Sequence, residues 1–222
     1  MPSFLDLERW SRRGLFELFR GYEQPFFGLA APLDVTALRA AAGGPGGRSF
    51  FLATLWASLA AAQEIEPFRY RLRGERVVVH EAVGASCTVL RPDGGFSFGL
   101  FEWDADFGRF HDAGRREVER VRGGREIEPT DRDDLIHYTV IPWVELTSFR
   151  HARRSLADSS VPKVVFGKVH PEPGSGGGRE RMPVALEVHH ALMDGFDAGR
   201  WYQALAARFS SGELFQPPSP RE

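Results

Sequence analysis

The chain has 222 residues, a formal net charge of −2, and 42% apolar and 26% charged side chains. That suffices for one buried core and excludes a strongly basic surface, so no nucleic-acid partner is expected. The lone cysteine, Cys87, excludes an internal disulfide and fits a reducing, cytoplasmic setting.

The opening stretch MPSFLDLERWSRR lacks the apolar core of a signal peptide. Leu15, Phe16 and Phe19 then recur at helical spacing in RRGLFELFRGY. DVTALRAAAGG reads as a short helix with Asp34 as N-cap and glycines at its end. After the breaker GGPGG, Ser49 caps the longest apolar run, Phe50 to Ala62. That run falls short of the ~20 residues a membrane span needs, so it reads as a buried helix and no membrane partner is expected. FRYRLRGERVVVH is strand, tight turn at Gly74-Glu75, strand, and SCTVL and FSFGLF are two more strands around a PDGG turn.

WDADFGRFHDAGRREVERVR is helical, with Asp104 as its expected cap. HYTVIPWV is a strand whose Pro142 marks an edge, a bulge or the strand end. VPKVVFGKVH and RMPVALEVHH are strands joined by PEPGSGGGRE, and they carry the only two lysines nearby, Lys163 and Lys168, the only ones in the chain. FDAGRWYQALAARF closes as a helix with Trp201, Leu205 and Phe209 on one stripe. The pattern is an α/β single domain, residues 1–212, with a mixed sheet and helices in a two-layer sandwich; residues 213–222 form a Pro-rich tail.

VHHALMDG, Val188 to Gly195, carries the chemistry. Neighbouring residues at a strand end face opposite ways, so His189 and His190 cannot both ligate one metal, and no third ligand lies nearby; no metal is expected. One oriented imidazole, titrating near ~6.5, suits a general base. The spacing alone does not separate that reading from an ordinary strand-end histidine.

VHHALMDGFDAGR resembles the His-His-x-x-x-Asp-Gly signature of the chloramphenicol acetyltransferase superfamily. ERWSRRGLFELF, FRYRL, GASCTVL, IPWVELTSF and VVFGKV followed by MPVALEVHH are similar to further blocks of that family, in family order from about residue 6 to 209. The resemblance implies a chloramphenicol acetyltransferase-like fold and an acetyl-CoA-dependent O-acetyltransferase acting on a small hydroxylated acceptor, chloramphenicol among the candidates. By position His190 is the general base, and Ser148 matches the serine that donates to the tetrahedral oxyanion. Asp194 and Arg12 (Arg13 as fallback) match an ion pair that holds the loop bearing the base. His189 has a shaping part, and Gly195 is expected to make a turn too tight for a side chain. Lys168 keeps the place of a coenzyme-binding lysine.

Phe19, Leu18, Tyr22, Phe26, Phe27, Phe101 and Trp143 are the expected walls of an apolar pocket. The family's intermediate-organising threonine is Val165 here, its adenine-stacking tyrosine is Val169, and its pocket tyrosine is Phe19. Glu145 stands where the family has a small polar residue. One lobe alone leaves the base on an open surface, so the resemblance implies a homotrimer with sites between subunits. Transfer from a lipoyl or carrier arm is a rival activity, and a non-catalytic trimeric scaffold is a rival function.

Overall fold

The computed structural model describes residues 2–44, 47–153, 160–176 and 178–211; the expected tail at 213–222 lies outside them. In chain order the elements are β1 (Ser3–Phe4), α1 (Arg13–Arg20), β2 (Phe26–Asp34), α2 (Thr36–Ala42), α3 (Phe50–Gln63), a 3-10 turn (Glu66–Arg69), β3 (Tyr70–Arg73), β4 (Arg76–Val79), β5 (Gly84–Leu90), β6 (Phe96–Phe101), α4 (Phe107–Gly123), β7 (Leu135–Val140), β8 (Lys163–Phe166), β9 (His170–Pro171), β10 (Glu180–His189) and α5 (Gly195–Ser210). The main sheet runs β2-β10-β8-β7-β5-β6, with β9 also pairing β10, and a small separate sheet runs β1-β4-β3. The main sheet is mixed, because β7 lies parallel to both β5 and β8 while the remaining pairs are antiparallel. This is the expected two-layer α/β sandwich, with the small sheet added.

Helix α3 is apolar on every side, which suits a helix packed from all directions. Its Leu52, Leu55 and Leu59 meet Trp201, Leu205 and Phe209 of α5 and the inward residues Val164, Phe166, Val184, Leu186 and Val188 in one core. Ser49 caps α3 as expected, its Oγ accepting from Leu52 N at 3.3 Å. Two other caps move. Asp106, not Asp104, caps α4, accepting from Arg109 N at 2.9 Å, while Asp104 holds Asp106 N and the Arg109 guanidinium. Val35 occupies the N-cap of α2, and Asp34 binds Thr36 N from one residue earlier. In both cases several acidic or polar side chains precede the helix, and the packed register picks among them.

The turn at Gly74 is as read, with φ of +61° that glycine adopts freely. Pro142 falls just past the end of β7, so of its three readings the strand end holds. β2 was not expected as a strand: FFGLAAPLD has a glycine, a proline and no alternation. It forms because it is the sheet edge, where Pro32 faces Pro183 across the ladder and neither has an N–H to waste. Among the described residues no helix is long and apolar enough to cross a membrane.

A second, smaller core joins Phe16 of α1, Tyr70 and Val77 of the small sheet, and Ala191 and Leu192 just after β10. It anchors the segment that carries the histidine pair. Trp201→Ala should cost about 3–5 kcal/mol, because the ring is fully buried between α3 and Phe68; urea unfolding would measure it.

Candidate active site

β10 ends at His189, and the chain turns at once: Leu192 N and Met193 N both donate to the His189 carbonyl. Strand alternation sends the two histidines apart. His189 goes to the outer face, buried beside the edge of the Phe26 ring, with its Nδ1 accepting from Ala191 N at 3.2 Å. Burial, reinforced by the Arg153 and His190 charges, pushes His189 down to about 4. It is neutral at ordinary pH.

His190 goes to the other face. Its ring stacks on Phe19 of α1 with centroids 3.8 Å apart and planes within 5°, and Phe27 of β2 closes from 4.7 Å. Its backbone N–H donates to Pro25 O at 2.7 Å. Nδ1 is enclosed with no hydrogen-bond partner among the described residues, which leaves Nε2 as the accessible nitrogen.

Behind this imidazole Arg12 and Asp194 are paired. Arg12, at the N-cap of α1, donates to Asp194 Oδ2, and its other nitrogen reaches His190 O at 3.5 Å. Arg13 is otherwise engaged with Glu17. Asp194 also caps α5, accepting from Phe196 N at 2.9 Å and Asp197 N at 3.4 Å. Burial opposes the charge of Asp194, but Arg12 and those two N–H groups outweigh it and hold the carboxyl below its usual range. The role expected of Gly195 is corrected. It is the first residue of α5, its φ is not positive, and an added Cβ would meet nothing, so the turn is made by Asp194 rather than by a missing side chain.

The other expected residues do not all gather. Phe19 and Phe27 clamp His190 and Phe26 lies under His189, but Leu18 and Tyr22 are exposed. Phe101 is corrected to a main-core residue, buried and facing the helices. Trp143 is exposed on the turn after β7, near the other end of β10. Ser148 is exposed on the segment 141–153, which runs back over the outer face; within it Leu146 lies beside Gly167, and His151 and Arg153 reach Glu187.

Cavities lie on both faces of the sheet. One, of about 520 Å³, sits on the helix side at the Met182 end of β10, with Lys168, Val169, Phe50 and Arg39 in its walls. Lys168 Nζ is 4.0 Å from Glu145, so the carboxylate noticed in the sequence stands beside the lysine. The second, of about 420 Å³, lies on the outer face and takes in Thr139, His137, Lys163 and Phe149. Ser148 is in neither described lining; Thr139 is the β7 hydroxyl the sequence reading passed over. Its signal was the alternation of HYTV, where His137 and Thr139 share one face. Val165, buried on that same face, pairs with Thr139 directly. Among the described residues no cluster of three His, Cys, Asp or Glu could hold a metal ion.

A two-layer α/β sandwich with an aromatic-clamped histidine at a strand end, tied to an Arg–Asp pair, is an acyltransferase scaffold. The chain belongs to the chloramphenicol acetyltransferase family, whose model matches residues 3–206. It is 29% identical to the chloramphenicol acetyltransferase of Streptomyces acrimycini and 23% identical to chloramphenicol acetyltransferase 3 of Escherichia coli, over 90% of this chain and 90% and 93% of those proteins. A solved chloramphenicol acetyltransferase superposes with a TM-score of 0.87 at 25% identity, covering 95% of this chain and 100% of that one. The fold extends to a dihydrolipoamide acetyltransferase of Azotobacter vinelandii, with a TM-score of 0.65 at 16% identity over 91% of this chain and 88% of that one.

Removing the brace should be measurable in two ways. Asp194→Ala, which loses both the ion pair and the helix cap, should cost about 2–4 kcal/mol. In a double-mutant cycle with Arg12→Ala the two losses should overlap by about 1–2 kcal/mol, read from urea midpoints.

Acid should weaken the fold through the histidines. His137 and His189 are both held near about 4 in the folded state, below the ordinary histidine value. Between that ordinary value and about 4 the unfolded chain binds more protons, so stability falls as pH falls through this window. Thermal melts should show the decline, and His189→Asn should flatten it.

Proposed function

We propose that the protein is an acetyl-CoA-dependent O-acetyltransferase in which His190 is the general base. The observation that carries the reading is the fixed imidazole: clamped by Phe19 and Phe27, tied through its backbone to Pro25 and Arg12, with Nε2 left accessible. Nε2 takes the proton from the acceptor hydroxyl as that oxygen attacks the thioester carbonyl. The tetrahedral intermediate collapses, the C–S bond breaks, and the coenzyme thiolate takes the proton back from His190.

The developing oxyanion needs a donor. Ser148 is the family match made from sequence, but Thr139 lines the outer cavity together with Ser86, Thr88 and Thr130, and because it pairs directly with Val165, where the family has its intermediate-organising threonine, we assign the role to Thr139. Lys168 is proposed to hold an anionic part of acetyl-CoA at the 520 Å³ cavity, with Arg39 as a second cation. Val169 offers a contact surface there without an aromatic ring.

The geometry also supports a site shared between copies. His190 and Met182 are eight residues apart along β10, roughly 26 Å at strand rise, so one chain's base stands far from its own Lys168 cavity. The Thr139 cavity lies on the opposite face of the sheet from His190. A neighbouring copy resolves both separations, and the exposed Leu18, Tyr22 and Leu29 near His190 give such a copy apolar surface to cover. A homotrimer, with chloramphenicol as one acceptor, is the assembly and substrate we would test first.

Release of free thiol from acetyl-CoA with chloramphenicol and a panel of small alcohols tests the activity. His190→Ala should lose about 10²–10⁴-fold in turnover. Thr139→Val should lose about 10²–10³-fold, while Ser148→Ala stays near wild type; the reverse ranking would return the role to Ser148. Light scattering should give about three times 24.8 kDa. No thiol release with any acceptor, and no coenzyme binding, would favour the scaffold reading.

A further inference from the structure

Lys163 opens β8 on the outer face of the sheet and is only 8% exposed. A buried ammonium is costly unless its donors are used. Its three N–H groups have one acceptor among the described residues, Ala152 O at 2.9 Å. Glu187 stands directly across the ladder on β10, but its oxygens are spent on Arg153, at 3.0 Å, and on His151, at 3.4 Å. Arg153 therefore balances Glu187, and Lys163 keeps a net positive charge in this cluster. Its own burial and Arg153 lower its pKa while Glu187 opposes them, and an arriving anion would add to that opposition.

His137 lies beside Lys163 on β7. Its ring has no hydrogen-bond partner among the described residues, and it stays neutral at ordinary pH, able to donate one hydrogen bond. Lys163 and His137 both line the 420 Å³ cavity, whose far side carries Phe96 and Phe98 of β6, with Phe149 packed on His151 in its wall. No carboxylate is among its described lining residues. An apolar chamber of this size with unspent donors at one end complements a small molecule that has an aromatic body and an anionic head.

We propose that this cavity is an acceptor subsite for a hydroxy acid with an aromatic body, its carboxylate held by Lys163 and His137. Only the role of the hydroxyl rests on the acetyltransferase reading; the anion site stands on the cavity itself. Three probes separate the two: phenyllactate, its methyl ester, and phenylpropanoate, which lacks the hydroxyl and so cannot be acetylated. Calorimetry on the full-length protein should show both acids binding and the ester at least about tenfold weaker. Lys163→Met should erase that difference, and Lys163→Arg should keep most of it.

Should Lys163→Met not fold, the acid-to-ester ratio in the wild type and in His137→Phe decides, with the ratio falling in the latter. Equal affinity for acid and ester, no acid binding up to about 10 mM, or a preference that survives Lys163→Met would each overturn the proposal. Lys163-dependent binding of phenylpropanoate with no thiol release from phenyllactate would uphold the anion site and count against acetyl transfer.

Discussion

The ion pair between Arg12 and Asp194 is the contact on which the site depends. It ties the first turn of α1 to the turn after β10, across 182 positions of sequence. Through Asp194 it starts α5, whose Trp201, Leu205 and Phe209 fill the main core. Through the other guanidinium nitrogen it reaches the His190 carbonyl. An arginine fork and a carboxylate are well matched for this, because one pair of charged groups can satisfy a helix start, a loop carbonyl and each other. Neither partner is fully exposed, so the pair is shielded from much of the screening that makes surface pairs weak.

The second constraint is the pleat of β10. Because successive residues face opposite sides, the same strand that sends His190 against Phe19 sends His189, Glu187 and Ala185 to the outer face. One strand therefore serves two chemical surfaces. The helix-facing one is packed with aliphatic side chains, and the outer one carries polar and charged groups in a row: Glu187, Lys163, His137 and, on β5, Ser86. Arg153 lies over the Phe26 ring at 3.3 Å and closes this row at the edge where His189 sits. Charged residues are tolerated there because they meet one another and the segment 141–153 instead of hydrocarbon.

The elements with strong periodicity were legible in the sequence. The apolar helix at Phe50, the hairpin at Gly74 and the stripe on the last helix all follow from local pattern, and all are present. β2 was not legible, since its strand character comes from β10 beside it and not from its own alternation. The caps of α2 and α4 shifted by one and two residues for a similar reason: several side chains could cap locally, and the packed position of the helix decides. At the site, the family blocks named His190, Asp194 and Arg12, and the structure joins Arg12 to Asp194 and to the His190 carbonyl. Ser148 and Trp143 were read from a segment whose path over the outer face no local pattern discloses.

By itself the sequence determined the two-layer class, the family motif and the identity of the clamped histidine, because these rest on short-range spacing and on residue chemistry. Only the tertiary structure decided which face each histidine takes and which arginine pairs with Asp194. It also decided that Gly195 needs no special backbone, and that the two lysines of one short segment serve different cavities. The reason is physical: Lys163 and Lys168 are five residues apart, but β8 ends between them. The chain turns there, so one ammonium is buried on the outer face and the other stands at the sheet's end on the helix side. Where a charge ends up depends on which surfaces the sheet brings together, and that is set by strand order, which no single stretch of sequence contains.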